Sequence, residues 1–369
     1  MENLKDILNQ FKIEGKVVKV APCGNGRINR TLKVTTNTIN GKKEYILQRI
    51  NTNLFSDPNS LMQNIDLVTK HIRTVAPQEQ TLNIIETTLG NLYLSSNGEC
   101  FRVYDYIPHS ISIDNPQEYP SAFYECGKIF GKFQKELSTF DAKKLTETLP
   151  NFHNTFDRYN KFINAVKEDK FNRVKNCINE IDFCITMAEK QKLATTILDR
   201  INNGTLPLRV THNDTKLNNV AFNEYTNKAL AVLDLDTVMP GALCYDFGDA
   251  IRFGCNTESE ESTDFDKIKF NADLFRLYTQ GYLEVAKDFI TETELESLVD
   301  GCLVMTYEVG MRFLTDYLEG DTYFGAKYED NNLNRAKNQF THLQNMLYNK
   351  NLMQEIVFNT INNCLEQEK

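Results

Sequence analysis

One short segment of the chain carries side chains whose types and spacing suit the transfer of a phosphoryl group. Residues 212–219 read HNDTKLNN, which places His212, Asp214 and Asn219 in the pattern H-x-D-x-x-x-x-N. Phosphoryl transfer needs a carboxylate that orients and deprotonates the attacking hydroxyl, and oxygen ligands that hold a divalent cation near the phosphates. The spacing is that of a kinase catalytic loop. We therefore predict that Asp214 is the catalytic base, in contact with the acceptor, and that Asn219 is a ligand of Mg²⁺.

Two further carboxylates, Asp234 and Asp236, follow in the run ALAVLDLD. This run and the preceding NVAFN are separated by turn residues at 224–227, which predicts a β-hairpin that returns the carboxylates to Asn219. Mg²⁺ retains several waters, so one Asp, one Asn and phosphate oxygens suffice as its other ligands. We predict Asp234 as the second metal ligand. Asp236, on the same face of the predicted strand, either approaches the metal or forms hydrogen bonds within the loop.

A literal Asp-Phe-Gly begins at Asp246, and this tripeptide binds the metal in protein kinases. Here it follows the turn at 240–241 and lies outside the predicted hairpin. We therefore predict that Asp246 and Asp249 cap or brace the helix around Arg252 and do not bind the metal.

Two features of the first hundred residues could contact a nucleotide. Gly24, Asn25 and Gly26 lie between two predicted strands, where their backbone amides either approach phosphates or form a plain type I′ turn. The strand EYILQRI is where a kinase carries its phosphate-pairing lysine, and here it contains Gln48 and Arg49 instead. Because successive strand residues face opposite sides, only one of the two can face the cleft, and we favour Gln48.

The patterns around these residues predict two lobes. Strand-like runs at 17–21, 30–36 and 44–50 are separated by turn signals, and helical spacing of apolar residues follows at 57–74. Shorter strand-like runs continue to 107. Helical patterns then prevail, first at 121–137 and 152–165, and only the strand-rich segment around the H-x-D loop interrupts them. We predict an α+β, protein-kinase-like two-lobe fold, with an N-terminal antiparallel β-rich nucleotide-binding lobe at 1–107 and a larger, mainly helical, catalytic and substrate-binding lobe at 108–369.

Composition excludes several other classes of protein. The 369 residues carry a net charge of -9 and no dense basic tract, so we expect no nucleic-acid partner. No apolar run approaches the ~18 residues of a membrane helix, and the amino-terminal residues lack the pattern of a signal peptide. We therefore predict a cytoplasmic protein that does not associate with membranes. The nine cysteines form no C-x-x-C pair, which favours reduced, buried thiols. The sequence predicts no particular oligomeric state.

Together these motifs resemble the aminoglycoside phosphotransferase and choline kinase superfamily, and within it the N-acetylhexosamine 1-kinases. The resemblance lies in YILQRIN, PNSLMQNI, THNDTKLNN, LDLDTVMPG and YDFGDAIR. It implies ATP- and Mg²⁺-dependent phosphorylation of the anomeric hydroxyl of N-acetylglucosamine or N-acetylgalactosamine. It also implies that the backbone around Asp105 and Ile107 holds the adenine, and that Phe253, Arg312 and Tyr323 contact the sugar.

The chain departs from this pattern in two places. Arg27 stands where we expect the relatives to carry His, and a sugar contact at this position would alter the preferred sugar. The phosphate-pairing lysine is absent, and no clear glutamate at 61–73 would pair with it. Arg312 could instead form a surface ion pair.

Two alternatives to the sugar kinase remain at this stage. One is a kinase for choline, another amino alcohol, methylthioribose or an aminoglycoside; a cationic acceptor would need acidic or aromatic groups around its ammonium. The other is a non-catalytic, nucleotide-binding pseudokinase. The missing lysine favours the pseudokinase, whereas the presence of Asp214, Asn219 and Asp234 favours an active enzyme.

Overall fold

The structure is a computed structural model and describes residues 4–23 and 30–366. Gly24, Asn25, Gly26 and Arg27, which we predicted to contact phosphates or sugar, lie outside the described residues.

Strands and helices follow the predicted order, with a strand-rich part before a mainly helical part. The first part contains α1 (Leu4–Leu8), β1 (Lys16–Pro22), β2 (Arg30–Thr38), β3 (Gly41–Ile50), α2 (Pro58–Val75), β4 (Ile84–Ile85), β5 (Leu94–Ser96) and β6 (Glu99–Asp105). The second part contains β7 (Ser110–Ile111), α3 (Pro120–Glu136), α4 (Thr155–Glu168), α5 (Ile178–Glu189), α6 (Thr196–Asn202), β8 (Arg209–Thr211), β9 (Val220–Asn223), β10 (Ala229–Val232), β11 (Met239–Gly241), α7 (Leu243–Gly254), α8 (Ala272–Ala286), α9 (Glu292–Leu318), α10 (Asn331–Tyr348) and α11 (Lys350–Glu366).

The N-terminal sheet has the antiparallel order β1-β2-β3-β6-β4, and β5 also pairs with β6. The alternation along β3 separates its two faces, because Tyr45 and Leu47 pack in one cluster with α1 whereas Ile50 packs in the main core with α2. Asp57 accepts hydrogen bonds from the backbone N–H groups of residues 59 and 60, so Asp57, and not Ser60, caps α2. Because Gln48 and Ile50 share one face of β3, Gln48 lies on the α2 side of the sheet.

The helical part surrounds two small sheets. One has the order β10-β9-β7, and in the other β11 pairs with β8. Helix α4 begins at Thr155, later than predicted, because the side chain of Asn154 accepts a hydrogen bond from the N–H of Asp157 and caps the helix there. Helix α7 lies close against α9, since a Cβ added to Gly248 would meet the carbonyl oxygen of Gly301 at 2.4 Å.

The predicted fold class is confirmed, with an antiparallel β-rich N-terminal part and a helical C-terminal part. The lobe boundary at 107/108 stays a prediction, although strand pairing changes there, since β6 pairs with β3 and β7 pairs with β9. The nine cysteines, all within the described residues, form no disulfide, and seven of them are buried, the exceptions being Cys23 and Cys364. Among the described residues, no helix has both the length and the apolar character needed to cross a membrane.

Candidate active site

The carboxylate of Asp214 lies in the loop between β8 and β9 and is about a quarter exposed. Lys216 contacts its Oδ1 through Nζ at 2.7 Å, and Asn219 donates through Nδ2 to its Oδ2 at 2.9 Å. Burial raises the pKa of Asp214, but the charge of Lys216 and these hydrogen bonds outweigh burial, so the pKa lies below its usual value. The carboxylate is therefore ionised at neutral pH and able to accept a proton. Lys216 was not singled out from the sequence, although its place inside the motif could have indicated it.

Two oxygen ligands suited to a metal lie next to one another. The N–H of Leu233 donates to the carbonyl oxygen of Asn219 at 2.8 Å, which brings Asp234 beside the loop. Burial, followed by the charges of Asp236 and Asp214, raises the pKa of Asp234 to about 7. Within the described part of the chain, neither the Asp234 carboxylate nor the amide oxygen of Asn219 has a hydrogen-bond partner.

Such unpartnered oxygens suit Mg²⁺, which prefers oxygen ligands and neutralises neighbouring carboxylates. No group of three or more His, Cys, Asp or Glu side chains in the described ranges is arranged to hold a metal. A cation bound by Asp234 and Asn219 would therefore take its other ligands from water and phosphate.

The segment that contains Asp234 and Asp236 is a turn and not a strand. Strand β10 ends at Val232, Asp234 adopts a left-handed conformation with φ 54°, and a 3-10 turn follows at Leu235–Thr237. The prediction that the two carboxylates share one strand face is therefore wrong. The short polar side chain of Asp tolerates this backbone conformation, which directs the two carboxylates to different partners. Asp236 is 4% exposed and accepts a hydrogen bond from Arg102.

The Asp of the Asp-Phe-Gly tripeptide supports the catalytic loop. Asp246 accepts hydrogen bonds from the backbone N–H of Asn213 at 2.8 Å through Oδ1, and from the N–H of His212 and the side chain of Gln134 at 2.9 Å through Oδ2. Burial raises the pKa of Asp246. Because three donors already occupy its oxygens, this carboxylate is not a free metal ligand.

Neither Asp246 nor Asp249 caps a helix, so that part of the prediction is wrong. Helix α7 begins after Ala242, and both acids lie inside it. Asp249 accepts a hydrogen bond from the N–H of Thr215 at 3.1 Å. The two carboxylates lie one turn apart on the same helix, and both hold the backbone of the catalytic loop.

Gln48, and not Arg49, faces the interior between the sheet and α2. Its Oε1 accepts a hydrogen bond from Arg102 Nε at 3.0 Å. Arg49 points to the opposite side of the sheet and pairs there with Glu99, and both side chains are about half exposed. A nucleotide contact by Gln48 stays a prediction. Arg102 was not singled out from the sequence. An arginine inside the apolar strand CFRVYDY is unusual, and this could have marked it as a residue with a specific partner.

The connection after β6 contains a backbone N–H, that of Ile107, with no partner among the described residues. The N–H of Asp105 donates to the carbonyl oxygen of Asn83, and that of Tyr106 donates to the carbonyl oxygen of Glu44. The side chain of Ile107 packs in a small apolar cluster with β9 and β10. A free N–H at this position could donate to an adenine ring.

Two of the three predicted sugar contacts lie together. Arg312 donates to the hydroxyl of Tyr323 at 3.2 Å, and its guanidinium lies 5.5 Å from the ring centroids of Phe152 and Phe324. No described carboxylate forms an ion pair with Arg312, so the alternative of a surface ion pair is wrong. Phe253 lies in the last turn of α7, partly buried against the core, and the structure does not bring it into contact with the other two.

A chain of ion pairs connects the catalytic loop with the surroundings of Arg312. Arg252 pairs with Asp249 at 2.9 Å and with Glu260 at 3.1 Å, and Glu260 also pairs with Arg335. The guanidinium of Arg335 lies 5.3 Å from the ring centroid of Phe324, the ring that Arg312 also contacts. The sequence did not indicate this network, because its members come from distant segments with no shared local pattern.

Comparison with known proteins agrees with this geometry. A family model described as "Phosphotransferase enzyme family" (APH) matches residues 19–287. The chain belongs to this APH family. The match includes the catalytic loop, the turn at Asp234 and the helix that carries Asp246.

Solved structures similar to this APH-family chain share its fold at low sequence identity. An aminoglycoside phosphotransferase from Alicyclobacillus acidocaldarius is 10% identical with a TM-score of 0.56, and the match covers 98% of this chain and 96% of the other. An ethanolamine kinase from Plasmodium vivax is 12% identical with a TM-score of 0.56, covering 93% and 85%. The GDP complex of aminoglycoside 2'-phosphotransferase-IIIa is 12% identical with a TM-score of 0.55, covering 88% and 93%. Identities this low show the fold and leave the acceptor open.

Proposed function

We propose that this APH-family protein is an ATP- and Mg²⁺-dependent kinase that phosphorylates the anomeric hydroxyl of an N-acetylhexosamine, either N-acetylglucosamine or N-acetylgalactosamine. The observation that carries the proposal is the ionised, partly exposed Asp214 beside the unpartnered oxygens of Asp234 and Asn219. This arrangement combines a base for an acceptor hydroxyl with ligands for a divalent cation.

The residues divide the work of the reaction. Asp214 accepts a hydrogen bond, and then the proton, from the acceptor hydroxyl, while Asn219 and Lys216 hold its carboxylate in place. Asp234 and Asn219 would hold Mg²⁺, which when bound neutralises the charge of the phosphates. Because Lys216 lies against Asp214, its charge also falls where negative charge develops during phosphoryl transfer.

The nucleotide would lie between the two parts of the chain. The free N–H of Ile107 and the backbone of Asp105 would contact the adenine, and Gln48 would face the phosphates. A phosphate contact by the backbone of Gly24, Asn25 and Gly26, which lie outside the described residues, stays a prediction. A nucleotide site is supported by the structurally similar aminoglycoside 2'-phosphotransferase-IIIa, which has been determined as a GDP complex.

The charges near Asp214 favour a neutral acceptor over a cationic one. Lys216 pairs with Asp214, Arg252 pairs with Asp249 behind the loop, and Glu260 already pairs with both Arg252 and Arg335. A choline or amino-alcohol acceptor would need free acidic or aromatic groups around its ammonium. Sugar hydroxyls and an N-acetyl group are instead suited to hydrogen bonds from guanidinium donors such as Arg312 and from the hydroxyl of Tyr323.

The test measures ADP release by the purified protein with ATP, Mg²⁺ and a panel of acceptors. The panel contains N-acetylglucosamine, N-acetylgalactosamine, choline, ethanolamine, methylthioribose and an aminoglycoside. Turnover is expected with the N-acetylhexosamines. The methyl glycoside of the preferred sugar lacks the anomeric hydroxyl and should not react, and ³¹P NMR should show an anomeric phosphate in the product.

Asp214→Asn is the matched protein control, because it preserves the size of the side chain and removes the base. Its kcat should fall by at least ~10²-fold while ATP affinity changes little. Turnover confined to choline or ethanolamine would reject the sugar acceptor. Nucleotide binding that is independent of Mg²⁺, with no transfer to any acceptor, would support the pseudokinase alternative.

A further inference from the structure

Arg102 is a buried charge with an unusual set of partners. It lies in β6 and is 1% exposed. Its Nη1 donates to Asp236 Oδ1 at 2.5 Å, its Nε donates to Gln48 Oε1 at 3.0 Å, and its guanidinium lies 5.2 Å from the ring centroid of Tyr104. A guanidinium is costly to bury unless it is paired and hydrogen-bonded, and here Asp236 and Gln48 supply both the opposite charge and the hydrogen bonds.

Arg102 lies opposite the strand position at which kinases carry their phosphate-pairing lysine. Gln48 and Arg102 are direct cross-strand partners in β3 and β6, and Gln48 stands where kinases carry the phosphate-pairing lysine. The neighbour from α2, the helix that would supply a glutamate, is Met62, whose sulfur lies 3.9 Å from Nη1. The positive charge thus comes from the adjacent strand, and its acidic partner comes from the second part of the chain.

The contact with Asp236 joins the N-terminal sheet to the turn that carries Asp234. Asp234 has φ 54°, a left-handed conformation that Asp tolerates better than most residues but that still costs more than extended or helical backbone, so contacts around the turn help to hold it. Asp236 lies two residues further on and is fixed by Arg102 at one oxygen. Two of the three guanidinium nitrogens of Arg102, Nε and Nη1, are thus engaged by Gln48 and Asp236.

We propose that Arg102 is a positioning residue for metal and nucleotide binding, which acts by holding Asp236 and thereby the turn of Asp234. In this chain it takes over the orienting task that a lysine on β3 and a glutamate on the following helix perform together in kinases. The proposal rests on the proposed function only in taking Asp234 as a metal ligand. It does not depend on which acceptor is phosphorylated.

The test compares Arg102→Lys and Arg102→Gln with the wild type and with Arg49→Met. The lysine variant keeps the charge but lacks the planar fork of donors that contacts Asp236 and Gln48 from separate nitrogens, and the glutamine variant keeps a donor without the charge. Arg49→Met is the matched control, since it removes an arginine from a half-exposed position of the neighbouring strand, on the opposite side of the sheet. Binding of Mn²⁺ is measured by electron paramagnetic resonance in the presence of ADP, and folding is measured by the thermal midpoint and near-ultraviolet circular dichroism.

Both Arg102 variants should fold and bind Mn²⁺ in the presence of ADP at least ~10-fold more weakly than the wild type. The Mg²⁺ concentration for half-maximal turnover should rise by the same factor, and KM for the acceptor should change less than ~2-fold. Arg49→Met should match the wild type in every readout. A folded Arg102 variant whose Mn²⁺ affinity lies within ~2-fold of the wild type would overturn the proposal. If one Arg102 variant does not fold, the Mn²⁺ affinity of the other variant tests the proposal.

The same titration separates the two proposals. A wild-type protein that binds no Mn²⁺ in the presence of ADP would refute the proposed function itself, before any variant is compared. A wild type that binds Mn²⁺ and ADP but phosphorylates no sugar would refute only the acceptor, and the comparison of the Arg102 variants would still be decisive.

Discussion

Asp246→Asn should destabilise the protein and displace its catalytic loop, although the change replaces a single atom. The carboxylate accepts two backbone N–H groups from consecutive loop residues, His212 and Asn213, and a third hydrogen bond from Gln134. An asparagine can present its amide oxygen to one side only. Its NH₂ group would then point at a backbone N–H, which places two donors opposite one another.

The size of the effect follows from these three bonds. One hydrogen bond to a charged group, of about 1.5–3 kcal/mol, is lost, and the other two become neutral bonds of roughly half the strength. Relief of the buried charge offsets part of this loss, because burial raises the pKa of Asp246 and the ionised form is therefore held at some cost. We expect the free energy of unfolding to fall by about 2–4 kcal/mol.

Catalysis should suffer as well, since His212 and Asn213 directly precede Asp214. A shift of the loop by about 1 Å would lower kcat by roughly 10²-fold. Unfolding in urea can be monitored by far-ultraviolet circular dichroism, because the chain has no tryptophan for fluorescence. Asp264→Asn is the control: Asp264 forms an exposed pair with Lys267 and should change stability by less than ~0.5 kcal/mol.

The reasoning would be refuted if the free energy of unfolding of Asp246→Asn lay within ~1 kcal/mol of the wild-type value and no further from it than that of the control. The loss of one hydrogen bond to a charged group should lower it by more than that. A stable variant with an unchanged kcat would show that the carboxylate does not hold the loop.

Three further predictions concern the same loop and the helical core. Lys216→Met should raise the pKa of Asp214, so that the decline of kcat/KM in acid begins at a higher pH, whereas Lys70→Met, at an exposed pair, should leave the profile unchanged. Asn213 has φ 64°, so Asn213→Val should lower the free energy of unfolding by about 1–3 kcal/mol while Asn213→Gly should lower it less, as urea unfolding would show. Burial lowers the pKa of His342 to about 3 from an ordinary 6.5, so below pH 6.5 the unfolded chain takes up a proton that the folded chain does not. Stability should then fall by about 1.4 kcal/mol per pH unit from this site, and His342→Leu should flatten the dependence measured between pH 7 and pH 4.

The sequence pattern predicted the bounds of a helix closely where the apolar stripe and the capping residue both lie within the helix or next to it in sequence. Helix α2 was predicted at 57–74 and spans Pro58–Val75, because its apolar stripe and its cap at Asp57 are both local. Helix α3 was predicted at 121–137 and spans Pro120–Glu136. The start of α4 was missed by three residues, because Phe152 extends the apolar pattern beyond the capping residue Asn154.

The adjacency of Asn219 and Asp234 was equally predictable, since a short hairpin joins them in sequence. What the pattern could not predict was the backbone of the turn. Alternation of side chains holds only while the chain is extended, and β10 ends at Val232. Beyond that residue the two carboxylates of Asp-Leu-Asp separate, one toward Asn219 and the other toward the N-terminal sheet.

Asp236 and Arg102 illustrate what the sequence leaves undetermined and why. An arginine inside an apolar strand is costly to bury and must meet an acceptor, so the sequence alone implies that Arg102 has a partner. It cannot identify that partner, because the two residues are 134 positions apart and any of the 50 acidic residues could serve. The choice is made by the tertiary packing that places the turn Leu235–Thr237 against α2 and Arg102 of β6. The residue that pairs with Arg102 is therefore the one whose role the local motif left open, and its assignment required the tertiary structure.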